Sequence, residues 1–140
     1  MSERLTKNFL LREFRCKDGS EVPDEYMDNV KELVENLQVL RDHLDKPIRI
    51  ISAYRTLSYN RKVDGARRSQ HLTASASDIK IKGMTPQEVK DVIEELIKKG
   101  LIKQGGIGLY KTFLHYDIRN KKVRWYGKGM KDDREGRFYK

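Results

Sequence analysis

Two histidine–aspartate groups carry the side chains best suited to chemistry in this sequence. Of the three histidines, His71 stands seven residues before Asp78, and His115 stands two residues before Asp117. Two imidazoles and one carboxylate suit a catalytic zinc ion, whose fourth position is left for water. Zinc lowers the pKa of such a water to about 7, so that it becomes a usable nucleophile. These residues therefore indicate hydrolytic metal chemistry.

Strand geometry determines whether these side chains can meet. Side chains two residues apart on a strand share a face, so His115 and Asp117 point the same way. Asp78 points away from its apolar neighbours in the alternating segment SASDIKI. Two adjacent strands would then present Asp78, His115 and Asp117 together, with His71 folding back over them. Taken alone, however, this spacing marks a hydrogen-bonded structural histidine more often than a metal ligand.

Apolar periodicity predicts an α+β fold in which helices cover an antiparallel sheet. We expect a short helix over 6–14, an amphipathic helix from Asp24 to about Leu44, a short helix capped by Ser58, and a helix begun by the Thr85–Glu88 capping box. Strands are predicted at 48–51, 77–81, 106–110, 113–119 and VRWY, the last three as a meander. His43 lies near a helix C-terminus, where the dipole favours a cation, so we expect it to be structural.

Composition excludes several classes of protein. The 140 residues fit one domain, and the single Cys16 excludes a multi-cysteine zinc finger. The N-terminus shows no secretory signal pattern, and no apolar run reaches the ~20 residues of a membrane span. We therefore expect synthesis in the cytoplasm and no membrane insertion. The net charge of +9 suits polyanions, but the basic residues are spread along the chain.

Several ordered motifs resemble the zinc D-Ala-D-Ala carboxypeptidase family of peptidoglycan peptidases. SQHLTASASD resembles the family's SxHxxGxAxD pattern, and IRIISAYRTLSYN resembles its strand and SGYR segment. GGIGLYKTFLHYDIR resembles GGIGxYxxFxHxD, and the opening LTKNFLLREFRCKDG resembles a short subgroup with the HxD form of the last motif. The resemblance extends over residues 5–126, so we expect a zinc peptidase domain at 1–126 and a basic, loosely ordered tail at 127–140.

The resemblance implies a hedgehog/DD-peptidase-like fold and a Zn²⁺ cofactor. It implies that His71, Asp78 and His115 are the zinc ligands. It also implies that Arg55 binds or polarises the substrate, because a guanidinium suits a peptide carboxylate or a developing oxyanion.

Other positions carry alternatives or depart from the family. Ser69 either hydrogen-bonds within the site or shapes its turn, and Tyr110 either contacts the substrate or packs in the sheet. Ala74 replaces the family glycine. Alanine, unlike glycine, resists φ > 0, so this substitution tests whether the backbone there needs a positive φ. Thr112 stands where many of these peptidases carry an acid. Asp117 is then the candidate general base, with orientation of a ligand as its alternative role.

The function expected from these motifs is a zinc metallopeptidase that cleaves peptidoglycan cross-link or stem peptides, as a carboxypeptidase or an endopeptidase. Without a signal peptide, a phage or prophage wall hydrolase of the endolysin kind is favoured, acting after release or as part of a virion. We expect a monomer with no specific nucleic-acid partner. The alternative is a non-catalytic, zinc-containing binding or structural virion module on the same fold. Charge alone argues for nucleic-acid binding, and no motif supports it.

Overall fold

A computed structural model describes residues 3–127. Two short strands and two 3₁₀ helices precede a long helix. The five strands of a second sheet follow, with two further α-helices between them in chain order. The elements in chain order are β1 (Arg4–Thr6), β2 (Phe9–Leu10), a 3₁₀ helix (Leu11–Phe14), a 3₁₀ helix (Asp24–Tyr26), α1 (Met27–Leu44), β3 (Arg49–Ser52), α2 (Leu57–Lys62), a 3₁₀ helix (Gln70–Thr73), β4 (Ala76–Lys80), α3 (Pro86–Lys98), β5 (Gly106–Leu109), β6 (Leu114–Asp117) and β7 (Val123–Tyr126).

The two long helices form where the apolar periodicity predicts them. The buried residues of α1 recur at helical spacing along one face: Val30, Leu33, Val34, Leu37 and Leu40. The predicted capping box begins α3, since Thr85 Oγ1 accepts the Glu88 N–H at 3.1 Å and Glu88 Oε1 accepts the Thr85 N–H at 2.8 Å. The cap of α2 was predicted wrongly: Thr56 accepts the Tyr59 N–H at 3.2 Å and replaces Ser58 in that role.

The N-terminal segment forms an antiparallel strand pair and a 3₁₀ turn, so the helix predicted over 6–14 is wrong. Gln38 of α1 explains the difference. Its Oε1 accepts the Thr6 hydroxyl at 2.7 Å and the Asn8 N–H at 3.0 Å. Glu13 also accepts the Leu10 N–H at 2.7 Å. Such side-chain bonds compete with helical backbone bonds and favour a turn.

The α+β class is confirmed, but the sheet is mixed rather than purely antiparallel. Its strand order is β3-β4-β6-β5-β7, and β7 runs parallel to β5. The predicted final meander is wrong because β6 already pairs with β4 on one side and β5 on the other. After β6, the chain must therefore cross β5 to place β7 at the free edge of β5.

The helices and the sheet enclose the core on one face of the sheet. Leu37 of α1, Ile93 of α3 and Tyr116 of β6 line one small internal space there, and all three have at most 1% of their surface exposed. Because strand side chains alternate, Asp78 and His115 point to the opposite face. That face carries no long helix in the described part of the chain.

The C-terminal end of the described region includes the first residue of the tail predicted at 127–140. Gly127 is buried and donates its N–H to the Leu109 carbonyl at 2.8 Å. The rest of the predicted tail, from residue 128 onward, lies outside the described residues. Within 3–127, no helix is long and apolar enough to cross a bilayer.

A buried ion pair attaches β7 to α3. The Arg124 side chain is 3% exposed, and its Nε and Nη2 each donate to a different Glu94 oxygen at 2.8 Å. Its Nη1 donates to the Gly105 carbonyl at 2.6 Å. A guanidinium so enclosed requires its carboxylate partner.

Glu94→Ala should therefore lower the free energy of unfolding by about 2–3 kcal/mol, measured by urea denaturation. The loss is below that of a fully enclosed pair because the Glu94 side chain is 31% exposed. Glu95→Ala is the matched control, since it removes the same charge from the same helix and breaks only an exposed pair with Lys99. It should cost less than about 0.5 kcal/mol. Equal effects of the two substitutions would contradict the buried-pair account.

Candidate metal centre

Strand register brings two of the candidate ligands together. In the antiparallel pairing of β4 with β6, Asp78 lies directly opposite His115. Directly opposed residues have their side chains on the same face of a sheet, with Cβ atoms about 4.5–5.5 Å apart. The third candidate, His71, lies on the 3₁₀ helix Gln70–Thr73, which leads directly into β4.

A left-handed residue makes the turn from this 3₁₀ helix into β4. Ala74 has φ 58° and ψ 29°, and its N–H donates to the His71 carbonyl at 3.2 Å. This is the position of the family glycine, so the backbone requirement inferred from the motif is confirmed. An alanine here costs about 1–2 kcal/mol of backbone strain, which the surrounding contacts must offset.

The three side chains converge on one buried point. His71 Nε2 lies 3.2 Å from Asp78 Oδ2, and His115 Nδ1 lies 3.1 Å from Asp78 Oδ1. One ligand atom from each residue lies within 4.8 Å of the other two. None of the three residues exposes more than 5% of its surface.

The outer nitrogens of both imidazoles are held by groups that can only accept hydrogen bonds. His71 Nδ1 lies 2.6 Å from the Ala53 carbonyl oxygen, and His115 Nε2 lies 2.7 Å from Asp117 Oδ2. Each outer nitrogen therefore carries its hydrogen, and the inner nitrogens direct lone pairs at Asp78. Three acceptors that face one another are stabilised by a cation between them. Two nitrogens and one carboxylate, with acceptors behind both imidazoles, fit Zn²⁺.

Electrostatics keeps Asp78 ionised. Burial alone would raise the Asp78 pKa, but the imidazoles of His115 and His71 beside its carboxylate outweigh burial and hold that pKa well below its usual range. Burial lowers the pKa of His71, which favours the neutral imidazole that a metal needs. Burial also acts to lower the pKa of His115, but the Asp117 and Asp78 carboxylates outweigh it and raise that pKa.

Asp117 lies behind His115 rather than at a solvent-accessible surface. Its exposed fraction is 0%, and its oxygens accept the Gly106 N–H at 3.0 Å, the Arg119 N–H at 3.1 Å and the Arg119 guanidinium at 2.7 and 2.8 Å. A carboxylate this enclosed cannot touch a substrate directly. These contacts favour its alternative role, the orientation of His115, over that of general base.

An open cavity of about 590 Å³ lies beside the three side chains. Its wall includes three arginines, a serine and three aromatic rings: Arg55, Arg68, Arg119, Ser69, Tyr110, Phe113 and Trp125. The predicted residues Arg55, Ser69 and Tyr110 thus all lie at the cavity that holds the histidines.

Arg55 is fixed at the cavity wall by three hydrogen bonds. Nη2 donates to Asp78 Oδ2 at 3.3 Å, Nε to Ser52 Oγ at 3.2 Å and Nη1 to Asn60 Oδ1 at 3.1 Å. Gly65 permits this packing, because a Cβ there would overlap the Asn60 amide and lie 2.8 Å from Arg55 Nη1. Asn60 is the last residue of the motif IRIISAYRTLSYN, and here it orients Arg55.

Ser69 and Tyr110 each have a structural contact as well as a place on the cavity wall. Ser69 Oγ accepts the His71 N–H at 3.1 Å and so shapes the turn that carries this histidine. The Tyr110 hydroxyl accepts the Trp125 Nε1–H at 3.0 Å, and its ring stacks on Phe113 with centroids 4.5 Å apart. Their contacts with a substrate remain predictions.

Trp125 packs against the cluster across a glycine. Gly108 lies opposite both His115 and Trp125 in the sheet. A Cβ there would lie 2.5–2.7 Å from three Trp125 ring atoms. Because glycine leaves this space open, the Trp125 ring lies 4.9 Å from the His115 ring. Gly108 of the GGIG segment thus makes room for Trp125 on the face that carries the cluster.

A buried His–Asp–His cluster at the wall of an open cavity can hold one metal ion, as the metal centres of metal-dependent hydrolases do. A family model described as Peptidase M15 matches residues 3–117, which is most of the chain. The chain therefore belongs to the peptidase M15 family of zinc D-Ala-D-Ala carboxypeptidase-like proteins, and the resemblance found in the motifs is confirmed. Members of this family are zinc-dependent metallopeptidases. No curated protein matches the chain.

His71→Ala removes one of the three predicted ligands, so zinc measured by elemental analysis after dialysis should fall well below the wild-type value of about one per chain. His43→Ala is the matched control, because His43 is exposed on α1, and it should retain the wild-type zinc content. Wild-type protein that folds without zinc, or His71→Ala protein that keeps it, would contradict the ligand set.

Proposed function

We propose that this protein is a zinc-dependent peptidase that cleaves cross-link or stem peptides of peptidoglycan, with His71, Asp78 and His115 as the zinc ligands. The observation that carries this proposal is the convergence of the three acceptors, with both outer imidazole nitrogens already held. Zinc, when bound there, supplies a Lewis acid that polarises a carbonyl and lowers the pKa of a water to about 7.

Arg55 is the residue best placed to stabilise charge on the substrate. Its guanidinium contacts Asp78 Oδ2, and its bonds to Ser52 and Asn60 fix its plane. A pre-oriented cation at the cavity wall stabilises the negative charge that develops on a carbonyl oxygen during hydrolysis. It equally suits a substrate carboxylate, for which guanidinium geometry is well matched.

The remaining walls suit a peptide chain. Tyr110, Phe113 and Trp125 provide flat apolar surfaces, and Ser69 offers a hydroxyl on the cavity wall. The cavity volume of about 590 Å³ falls among ordinary ligand sites, which span about 300–1,000 Å³. We assign Tyr110 and Ser69 to substrate binding on this basis. Asp117 holds the His115 Nε2–H and keeps that ring oriented.

The proposal includes the setting in which the enzyme acts. We propose that residues 1–126 form the peptidase domain, with a hedgehog/DD-peptidase-like fold, and that the protein works as a monomer. We propose that it acts as a phage or prophage wall hydrolase, after release or within a virion. The net charge of +9 suits the anionic envelope. We propose no specific nucleic-acid partner, because no nucleic-acid-binding motif accompanies this charge.

One observation favours a second candidate, a non-catalytic zinc-containing binding or structural module. Thr112 occupies the position where many of these peptidases carry an acid. It is exposed and lines a different cavity, together with Met84 and Ile79. Thr112 thus lines a different cavity from the one that holds the cluster. A zinc-containing module without hydrolytic activity needs no acid beside its metal.

Mass spectrometry of purified peptidoglycan should decide between these candidates. Zinc-loaded wild type and the control His43→Ala should release peptide fragments or free amino acid, and the new termini should identify the bond. A chelator should stop release and added zinc should restore it, because the metal supplies the Lewis acid. Zinc-loaded, folded protein that releases nothing would establish the non-catalytic module instead.

A further inference from the structure

A line of charged contacts supports the cluster from behind and begins at Arg119. Its Nε donates to Asp117 Oδ1 at 2.8 Å and its Nη2 to Asp117 Oδ2 at 2.7 Å. The same Oδ2 lies 2.7 Å from His115 Nε2, and His115 Nδ1 lies 3.1 Å from Asp78 Oδ1. The two-pronged contact fixes the plane of the Asp117 carboxylate, and this plane sets the direction from which His115 is held.

The surroundings of Arg119 are shaped to this contact. Its guanidinium lies over the Trp125 ring at 5.4 Å from the centroid, and this ring packs against His115. A Cβ at Gly106 would overlap Asp117 Oδ2 and lie 2.8 Å from Arg119 Nε. Gly106 is therefore required by the arginine–carboxylate contact. Arg119 lies beyond residues 3–117 that match the family model.

We propose that Arg119 is a positioning residue for the metal centre, which acts through Asp117 to direct His115 Nδ1 at the metal. This inference rests on the proposed zinc site. Without the guanidinium, the fully buried Asp117 loses two of its hydrogen bonds and its compensating charge. It can then no longer hold the His115 Nε2–H in one direction, and the ligand nitrogen is less well aimed.

The direction in which zinc affinity changes when Arg119 is replaced distinguishes a positioning role from simple charge repulsion. A cation near a divalent metal repels it, so removing the Arg119 charge should by itself tighten zinc binding. A positioning role predicts the reverse, because loss of the groups that orient a histidine ligand weakens metal affinity by about 10–100-fold.

The test is the zinc dissociation constant of the full chain, measured by competition with a chromophoric chelator. Arg119→Gln should weaken zinc binding at least about 10-fold. Arg119→Lys should lie between wild type and Arg119→Gln, since lysine cannot make the two-pronged contact. Arg68→Gln is the matched control: Arg68 lines the same cavity but forms no ion pair within residues 3–127. Its affinity should be unchanged or slightly tighter.

Two further readouts separate positioning from a general loss of structure. In the Asp117→Asn background, Arg119→Gln should add less than about two-fold, because residues that act through one another are not additive. The His115 Nε2–H resonance of the zinc-loaded protein should be protected from exchange in wild type and lose that protection in Arg119→Gln. If Arg119→Gln does not fold, Arg119→Lys decides, with weakened zinc binding as support and wild-type affinity as contradiction.

Arg119→Gln protein that folds and binds zinc as tightly as wild type, or more tightly, would overturn the inference alone. Wild-type protein that binds no zinc would instead overturn the metal site on which it rests.

Discussion

The structure depends on one buried carboxylate that lies between two imidazoles. The outer nitrogens of His71 and His115 are committed to Ala53 and Asp117, so their inner lone pairs face Asp78. Such an arrangement of acceptors is costly when it is empty of positive charge and favourable when a cation occupies it. The strained turn at Ala74 and the β4–β6 register are both needed to hold it. Folding therefore builds a site that is prepared for a metal.

The two faces of the sheet divide the tasks of stability and chemistry. One face packs against α1 and α3 and supplies the hydrophobic core. The other carries the cluster, and glycines at Gly106 and Gly108 keep that face free for Arg119 and Trp125. Strand β7, which carries Trp125, is attached to α3 by the buried Arg124–Glu94 pair. A contact on the core side thus stabilises the strand that forms a wall of the site.

The sequence predicted the features that arise from local chemistry. Helical periodicity, the Thr85–Glu88 capping box and strand alternation gave the main elements, and alternation placed His115 and Asp117 on one face. The same alternation places Arg119, two residues after Asp117, on the face that carries His115. The features it did not predict depend on distant contacts: the strand pair of residues 4–10 needs Gln38, and the place of β7 depends on which strand edges remain free. Spacing alone left two roles open for Asp117, because the observations that favour orientation of His115 are its burial and its arginine partner.

We propose that zinc lies among His71 Nε2, the Asp78 carboxylate and His115 Nδ1. Anomalous diffraction from zinc-loaded crystals, recorded on both sides of the zinc absorption edge, tests it most directly. The account predicts one strong peak at about 2.0–2.2 Å from each of these ligand groups, with His115 Nε2 still bonded to Asp117. A peak held by other residues, a histidine bound through its opposite nitrogen, or no peak in crystals grown with zinc would contradict the account.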